Sequence, residues 1–194
     1  MTRKIHMIWV SRTEQPVPER YVEFQAEWKR LHPDWTFTVW EIDELLALGD
    51  DVFQQAWLKT DMDEAALTNR MRFVVLAMFG GLYVDVDTKP IRSLAHLLEQ
   101  GKQFQVGETP VCSKSGHPMV ELNLIYSAEG CTIPQELLRA SDFPRTTEEI
   151  NAQLRASSDR IAFHPAKYFQ DIVATPETYS LHWPHHLSSW KNNR

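Results

Sequence analysis

The sequence predicts an α/β fold, and three observations near its start carry that prediction. KIHMIWV (residues 4–10) is a nearly continuous apolar run ending in polar turn residues, the pattern of a strand buried on both faces of a parallel sheet. VPERYVEFQAEWKRLHPDW then places Tyr21, Phe24, Trp28 and Leu31 at helical spacing, with Pro18 suited to a first turn and Pro33 stopping the pattern. WTFTVW (residues 35–40) alternates and reads as a second strand. Strand, helix and strand in that order form the βαβ unit of an α/β sheet.

The following elements fit the same plan. Two short helices are predicted over 43–48 and 51–59. MDEAALTNRMRFVVLAMFGG is a longer helix with Leu67, Met71, Val74, Val75 and Met78 on one stripe, ended by Gly80 and Gly81. LYVDVD (82–87) reads as a strand whose alternation puts Leu82, Val84 and Val86 on one face and Tyr83, Asp85 and Asp87 on the other. QFQVGE reads as a strand, HPMVELNLIYSAEG as a helix, and Thr146 with Glu149 as a capping box opening a helix through Ala156. RIAFHP and TYSLHW are late short strands. No repeat, low-complexity tract or linker interrupts the chain, so one domain over 1–194 is expected.

Composition narrows the functional classes. With 194 residues and 43% hydrophobic content there is enough apolar mass for one core. Seven tryptophans leave room for aromatic surface reserved for a ligand. A net charge of −6 without a long basic run argues against sequence-independent nucleic-acid binding, although a local basic groove stays open. Cys112 and Cys131 stand without a CxxC pair, so a reducing compartment is expected. The opening MTRKIHMIWV turns polar too soon for a signal peptide, and no run approaches the roughly 20 apolar residues of a membrane span. A cytoplasmic protein is expected.

The stretch FGGLYVDVDTKP poses the functional question. Aspartate is a poor strand former, and two like charges on one face repel. A hard divalent cation, Mg²⁺ or Mn²⁺, would compensate them; an exposed edge strand with solvated acids is the alternative. The pair lies where a strand leaves the core, which is where open α/β sheets bind ligands. At the other end, LHWPHHLSSWKNNR gathers His182, His185, His186, Ser188, Ser189 and Trp190. It reads either as a tail or as a flap that brings a histidine to the metal and a tryptophan to the ligand.

Taken together, these residues resemble the DXD sugar-binding region of family 32 glycosyltransferases. AALTNRMRFVVLAMFGGLYVDVD looks like its core, IHMIW like its opening strand, EWKRLHPDWTFTVW like its W-x-x-x-x-P-x-[WY]-x-x-x-x-W segment, and TYSLHWPHHLSSWK like its closing segment. The core is also similar to the glucosyltransferase domains of the large clostridial toxins. The resemblance implies a GT-A fold: a mixed, mostly parallel sheet between helices that binds a nucleotide-sugar, a UDP-sugar above all, with Mn²⁺ or Mg²⁺. Carried across, it implies that Asp87 holds the metal on the diphosphate and that Asp85 contacts ribose or sugar, also through the metal. It likewise implies that Arg72 contacts sugar and diphosphate and that Tyr83 lies on the ligand side. Trp9 would stack on the base with His6 nearby, and His185, Ser189 and Trp190 would approach the metal and the leaving diphosphate.

The chain departs from the family in three places. Thr68-Asn69 replaces a common Ser-Asp that helps hold the donor sugar, VSRTEQ replaces a Gly-Gly after the first strand, and a separate acceptor domain has little room. The implied acceptor is a glycan or lipid-linked sugar, with protein or modified nucleic acid as further options. Two other classes stand beside this reading: a metal-dependent nuclease or phosphotransferase, and a nucleotide-sugar-binding protein without transfer activity.

Overall fold

A computed structural model describes residues 1–59, 63–112, 116, 118–139, 146–169 and 175–182, with only the backbone at 111 and 112. The predicted βαβ start is present as β1 (Lys4–Ile8), α1 (Glu19–Leu31) and β2 (Thr36–Trp40). Then come α2 (Ile42–Ala47), α3 (Asp51–Trp57), α4 (Glu64–Phe79), β3 (Gly81–Val84), β4 (Thr88–Pro90) and α5 (Ala95–Glu99). The chain continues through β5 (Phe104–Cys112), β6 (Pro118–Ser127), α6 (Ile133–Leu138), α7 (Thr147–Ala156), β7 (Ile161–His164) and β8 (Ser180–His182).

Six strands form one sheet in the order β2-β1-β3-β6-β5-β7. β1 pairs parallel with β2 and β3, and β5 parallel with β7, while β6 runs antiparallel to both β3 and β5. The sheet is therefore mixed and mostly parallel. β4 and β8 pair separately as a small antiparallel ribbon. One sheet face packs under α3, α4, α6 and α7 through Phe53, Leu67, Val75, Ile133 and Leu154. The other packs under α1 and α5 through Tyr21, Trp28 and Leu98. Among the described residues no helix is long and apolar enough to cross a membrane.

Three local readings are corrected. First, the strand predicted over 82–87 ends at Val84, because β3 is central and covered on both faces, so all four of its residues are buried. Asp85 to Asp87 leave the sheet as a turn, in which Thr88 N–H donates to the Asp85 carbonyl at 3.0 Å. Second, the segment predicted as a helix over 117–130 is β6. Its alternating Val120, Leu122, Leu124 and Tyr126 suit a strand, and pairing on both sides with β3 and β5 satisfies a backbone that would otherwise coil. Third, Met78 is 51% exposed rather than part of the buried stripe of α4, where Arg72, Phe73 and Leu76 are buried instead.

The turn out of α4 is set by glycine. Gly80 (φ +59°) and Gly81 (φ +99°) adopt left-handed backbone, and a Cβ on either would come within 2.7 Å of the backbone of Glu129 or Lys4. That reversal delivers the chain from α4 straight into β3 and fixes where β3 ends. On the far side, the buried Trp28 donates its indole N–H to the Thr88 carbonyl at 2.8 Å and pins the start of β4. The turn carrying the aspartates is held at both ends.

Candidate functional site

The site is built at the end of β3. Asp85 N–H donates to the Asn123 carbonyl of β6 at 2.8 Å. The β5–β6 register jumps here from Val106↔Ile125 to Gly107↔Glu121, so residues 122–124 bulge. Such a bulge re-aims groups beside it. The Leu122 carbonyl accepts a hydrogen bond from Arg72 Nη1, and Arg72 Nη2 lies 3.5 Å from Asp85 Oδ1.

Two arginines stand two residues apart in TNRMR, on different sides of the helix, and the structure divides their work. Arg70 makes a bidentate pair with Asp50 at 2.6 and 2.7 Å, and Asp50 also caps α3 by accepting from Phe53 N–H. Arg70 thus locks α4 to α3. Arg72, 4% exposed, turns to the site instead. Burial works against its charge, but Asp85, with Tyr83, Glu121 and Asp87 behind it, outweighs that and keeps it a cation. Its Nε is buried without a hydrogen-bond partner among the described residues, as is Asn123 Oδ1. Both are polar atoms that a bound polar ligand could satisfy.

Tyr83 is corrected from a ligand-side residue to a support. It is fully buried, its ring lies 4.9 Å below the Arg72 guanidinium, and its hydroxyl donates to Asp85 Oδ1. Burial first, and then the Asp85 charge, raise its pKa well above the usual phenol value, so it remains a donor. His6 is corrected likewise. It is 3% exposed, with Nε2 2.9 Å from the Gly80 carbonyl and Nδ1 accepting from the Trp40 indole at 3.2 Å. Both ring nitrogens are used, so His6 holds the α4–β3 turn rather than touching a donor.

Asp85, Asp87 and His182 each present a ligand atom within 4.8 Å of the others. His182 Nε2 lies 3.4 Å from Asp87 Oδ1, and its Nδ1 lies 3.8 Å from Glu121 Oε1. Burial lowers the pKa of His182, but the hydrogen bond and charge of Asp87, aided by Asp85 and Glu121, overcome that and raise it to about 9. Two carboxylates and an imidazole facing one point are a donor set that could hold a divalent metal ion. His182 comes from the C-terminal histidine cluster. The residues expected there, His185, Ser189 and Trp190, lie outside the described residues.

Two clefts meet at this point. One, of about 410 Å³, runs from Trp9 past Thr68, Asn69 and Arg72 to Asp85 and Asp87. The other, of about 490 Å³, is lined by Asn69, Arg72, Asp85, Thr109, Glu121 and Asn123. Trp9 is half-buried, and its indole N–H is tied to the Gln15 carbonyl at 2.7 Å, which fixes the ring. Asn69, Arg72 and Asp85 form the ridge between the clefts. Glu121 and Asn123 are not legible as site residues in the sequence, because their segment reads as a helix in isolation. The alternation in VELNLIY was the signal that could have found them.

This geometry coincides with a family match. Residues 18–104 match the family described as glycosyltransferase sugar-binding region containing DXD motif. That span of the chain is similar to a DXD glycosyltransferase region. Asp85-Val86-Asp87 is its D-x-D, and the matched span runs from α1 into β5. Among solved structures the chain is similar to PaToxG glycosyltransferase, at 13% identity over 80% of this chain and 69% of that one, TM-score 0.59. It is similar to a glycosyltransferase involved in glycosylation of the major capsid of PBCV-1, at 10% identity over 92% of each chain, TM-score 0.58. A third is the apo-form glycosyltransferase GlyE of Streptococcus pneumoniae TIGR4, at 11% identity over 94% of this chain and 54% of that one, TM-score 0.52. At such identities the likeness is one of fold, and that fold is the GT-A type. No curated protein matches the chain.

Proposed function

We propose that the protein transfers a sugar from a nucleotide-sugar, a UDP-sugar above all, to an acceptor hydroxyl with retention of configuration. The observation that carries this reading is a buried, incompletely partnered arginine beside a D-x-D–histidine metal site, at the junction of two clefts. Breaking a sugar–phosphate bond leaves negative charge on the departing diphosphate. The site holds what that charge requires: a planar guanidinium with an unused N–H, and ligands for a cation.

Asp85, Asp87 and His182 fit Mn²⁺ or Mg²⁺, which would supply Lewis-acid charge to the diphosphate. The chain's own residues do the rest. Trp9 offers a fixed aromatic face to the base. Asn69 and Asn123 offer amides to sugar hydroxyls from opposite walls. Tyr83 and Arg72 orient Asp85. The carboxylates at the site are engaged, Asp85 with Arg72 and Tyr83, and Asp87 and Glu121 with His182. That favours attack by the acceptor hydroxyl on the face the diphosphate leaves, rather than a covalent enzyme intermediate. A glycan or lipid-linked sugar is the proposed acceptor class.

Incubation with Mn²⁺ and a panel of nucleotide-sugars, reading released nucleoside diphosphate, tests the reading. Slow hydrolysis of one donor is expected. Cleavage of nucleic acid, or donor binding without release, would replace it with one of the two other classes.

A further inference from the structure

The imidazole of His182 sits between two walls of the site. Its Nε2 faces Asp87 in the turn after β3, and its Nδ1 faces Glu121 on β6. Glu121 lies outside the D-x-D turn and outside the matched span. The β6 bulge brings it here, since Glu121 opposes Gly107 immediately before the displaced residues 122–124. Its side chain is only 17% exposed and cannot simply turn away into solvent.

We infer that Glu121 is a positioning residue that holds the Nδ1–H of His182, so that Nε2 presents a bare lone pair to a divalent cation shared with Asp85 and Asp87. The inference rests on the metal-dependent reading above. Its logic is that of a ligating imidazole: one nitrogen binds the ion, and the proton must then sit on the other. A carboxylate at that second nitrogen fixes both tautomer and ring angle, and loss of such a partner costs roughly 10- to 100-fold in metal affinity. The ring's two contacts already assign the nitrogens, with Nε2 on the aspartate side and Nδ1 on the Glu121 side. The 3.8 Å separation is an ion-pair distance, and the inference requires that it would close to a hydrogen bond with an ion at Nε2.

Mn²⁺ titration of the full chain without donor, followed by electron paramagnetic resonance, tests this directly. Nitrogen hyperfine coupling on the bound ion reports the imidazole. The unaltered chain is expected to bind Mn²⁺ with nitrogen coupling, and H182A to lose that coupling. E121A and E121M should each bind about tenfold more weakly with diminished coupling. E121Q, whose amide oxygen still accepts from Nδ1–H, should recover most of the affinity. Either E121A or E121M combined with H182A should be no weaker than H182A alone. Coupling and affinity unchanged in E121A or E121M, or losses that add to those of H182A, overturn the role of Glu121 and leave the metal site standing. Failure of the unaltered chain to bind Mn²⁺ overturns the metal-dependent reading as well. Arg72 also feels the Glu121 charge, but it cannot change a nitrogen coupling that originates in His182.

Discussion

Two histidine-centred regions lie at opposite ends of β3, and they differ in almost every electrostatic respect. At the start of β3, His6 is enclosed by the Gly80 carbonyl, the Trp40 indole and apolar neighbours. At the end, His182 is flanked by Asp87, Asp85 and Glu121. Burial, only partly offset by the Gly80 hydrogen bond, lowers the His6 pKa to about 4, whereas the acids raise that of His182 to about 9 despite its own burial. Burial alone therefore says little about what a histidine does. Neutral partners at both nitrogens make a structural pin, while carboxylates at both keep the ring charged.

The largest test of that contrast is Asp87→Ala. It removes the carboxylate that defines the charged end, and about 10³-fold of donor hydrolysis should go with it, together with metal-dependent nucleotide binding. Turnover close to wild type with metal still required would move the site elsewhere. His6 supplies the matching test at the neutral end. Its folded pKa lies below the unfolded value, so its contribution to stability is complete above about pH 6.5 and is lost as pH falls toward 4. Roughly 3 kcal/mol should disappear across that window. Denaturant unfolding at pH 7 and pH 4.5 should show that H6Q has a flatter pH dependence than wild type by about this amount. Parallel curves would place the neutral imidazole outside the stability balance.

Arg72→Lys comes next. A point charge cannot bond the Leu122 carbonyl, Asp85 and a diphosphate oxygen from one plane, so kcat should fall about 10²-fold. A wild-type rate would remove the arginine from the chemistry. The smallest effect is expected from Trp9→Ala. Loss of stacking should weaken donor binding about tenfold, as an increase in KM with little change in kcat. An unchanged KM would assign Trp9 to packing alone.

The sequence was readable where the deciding interactions are local. β1, α1 and β2 follow from side-chain spacing within each segment, and α7 from a capping box in which Thr146 and Glu149 satisfy each other's backbone. Gly80-Gly81 marked the stop of α4, and the pair Asp85/Asp87 marked a candidate cation site. Reading failed where the decision belongs to partners distant in sequence. VELNLIY fits a helix or a strand in isolation, and only pairing between β3 and β5 makes it β6. Misreading it concealed Glu121 and Asn123. Tyr83 alternates with the acids as a ligand-facing residue would, yet β3 lies in the middle of the sheet and buries both faces.

The order of residues thus determined the α/β class, the D-x-D pair and the arginine one helix earlier, because each is written in short-range periodicity or in charge placed against its own propensity. Tertiary structure alone decided which histidine meets the aspartates and which merely pins a turn. Those outcomes depend on the strand order and on a bulge in β6. They bring residues 72, 85, 121 and 182 together across more than half the chain, a distance over which no local pattern carries information.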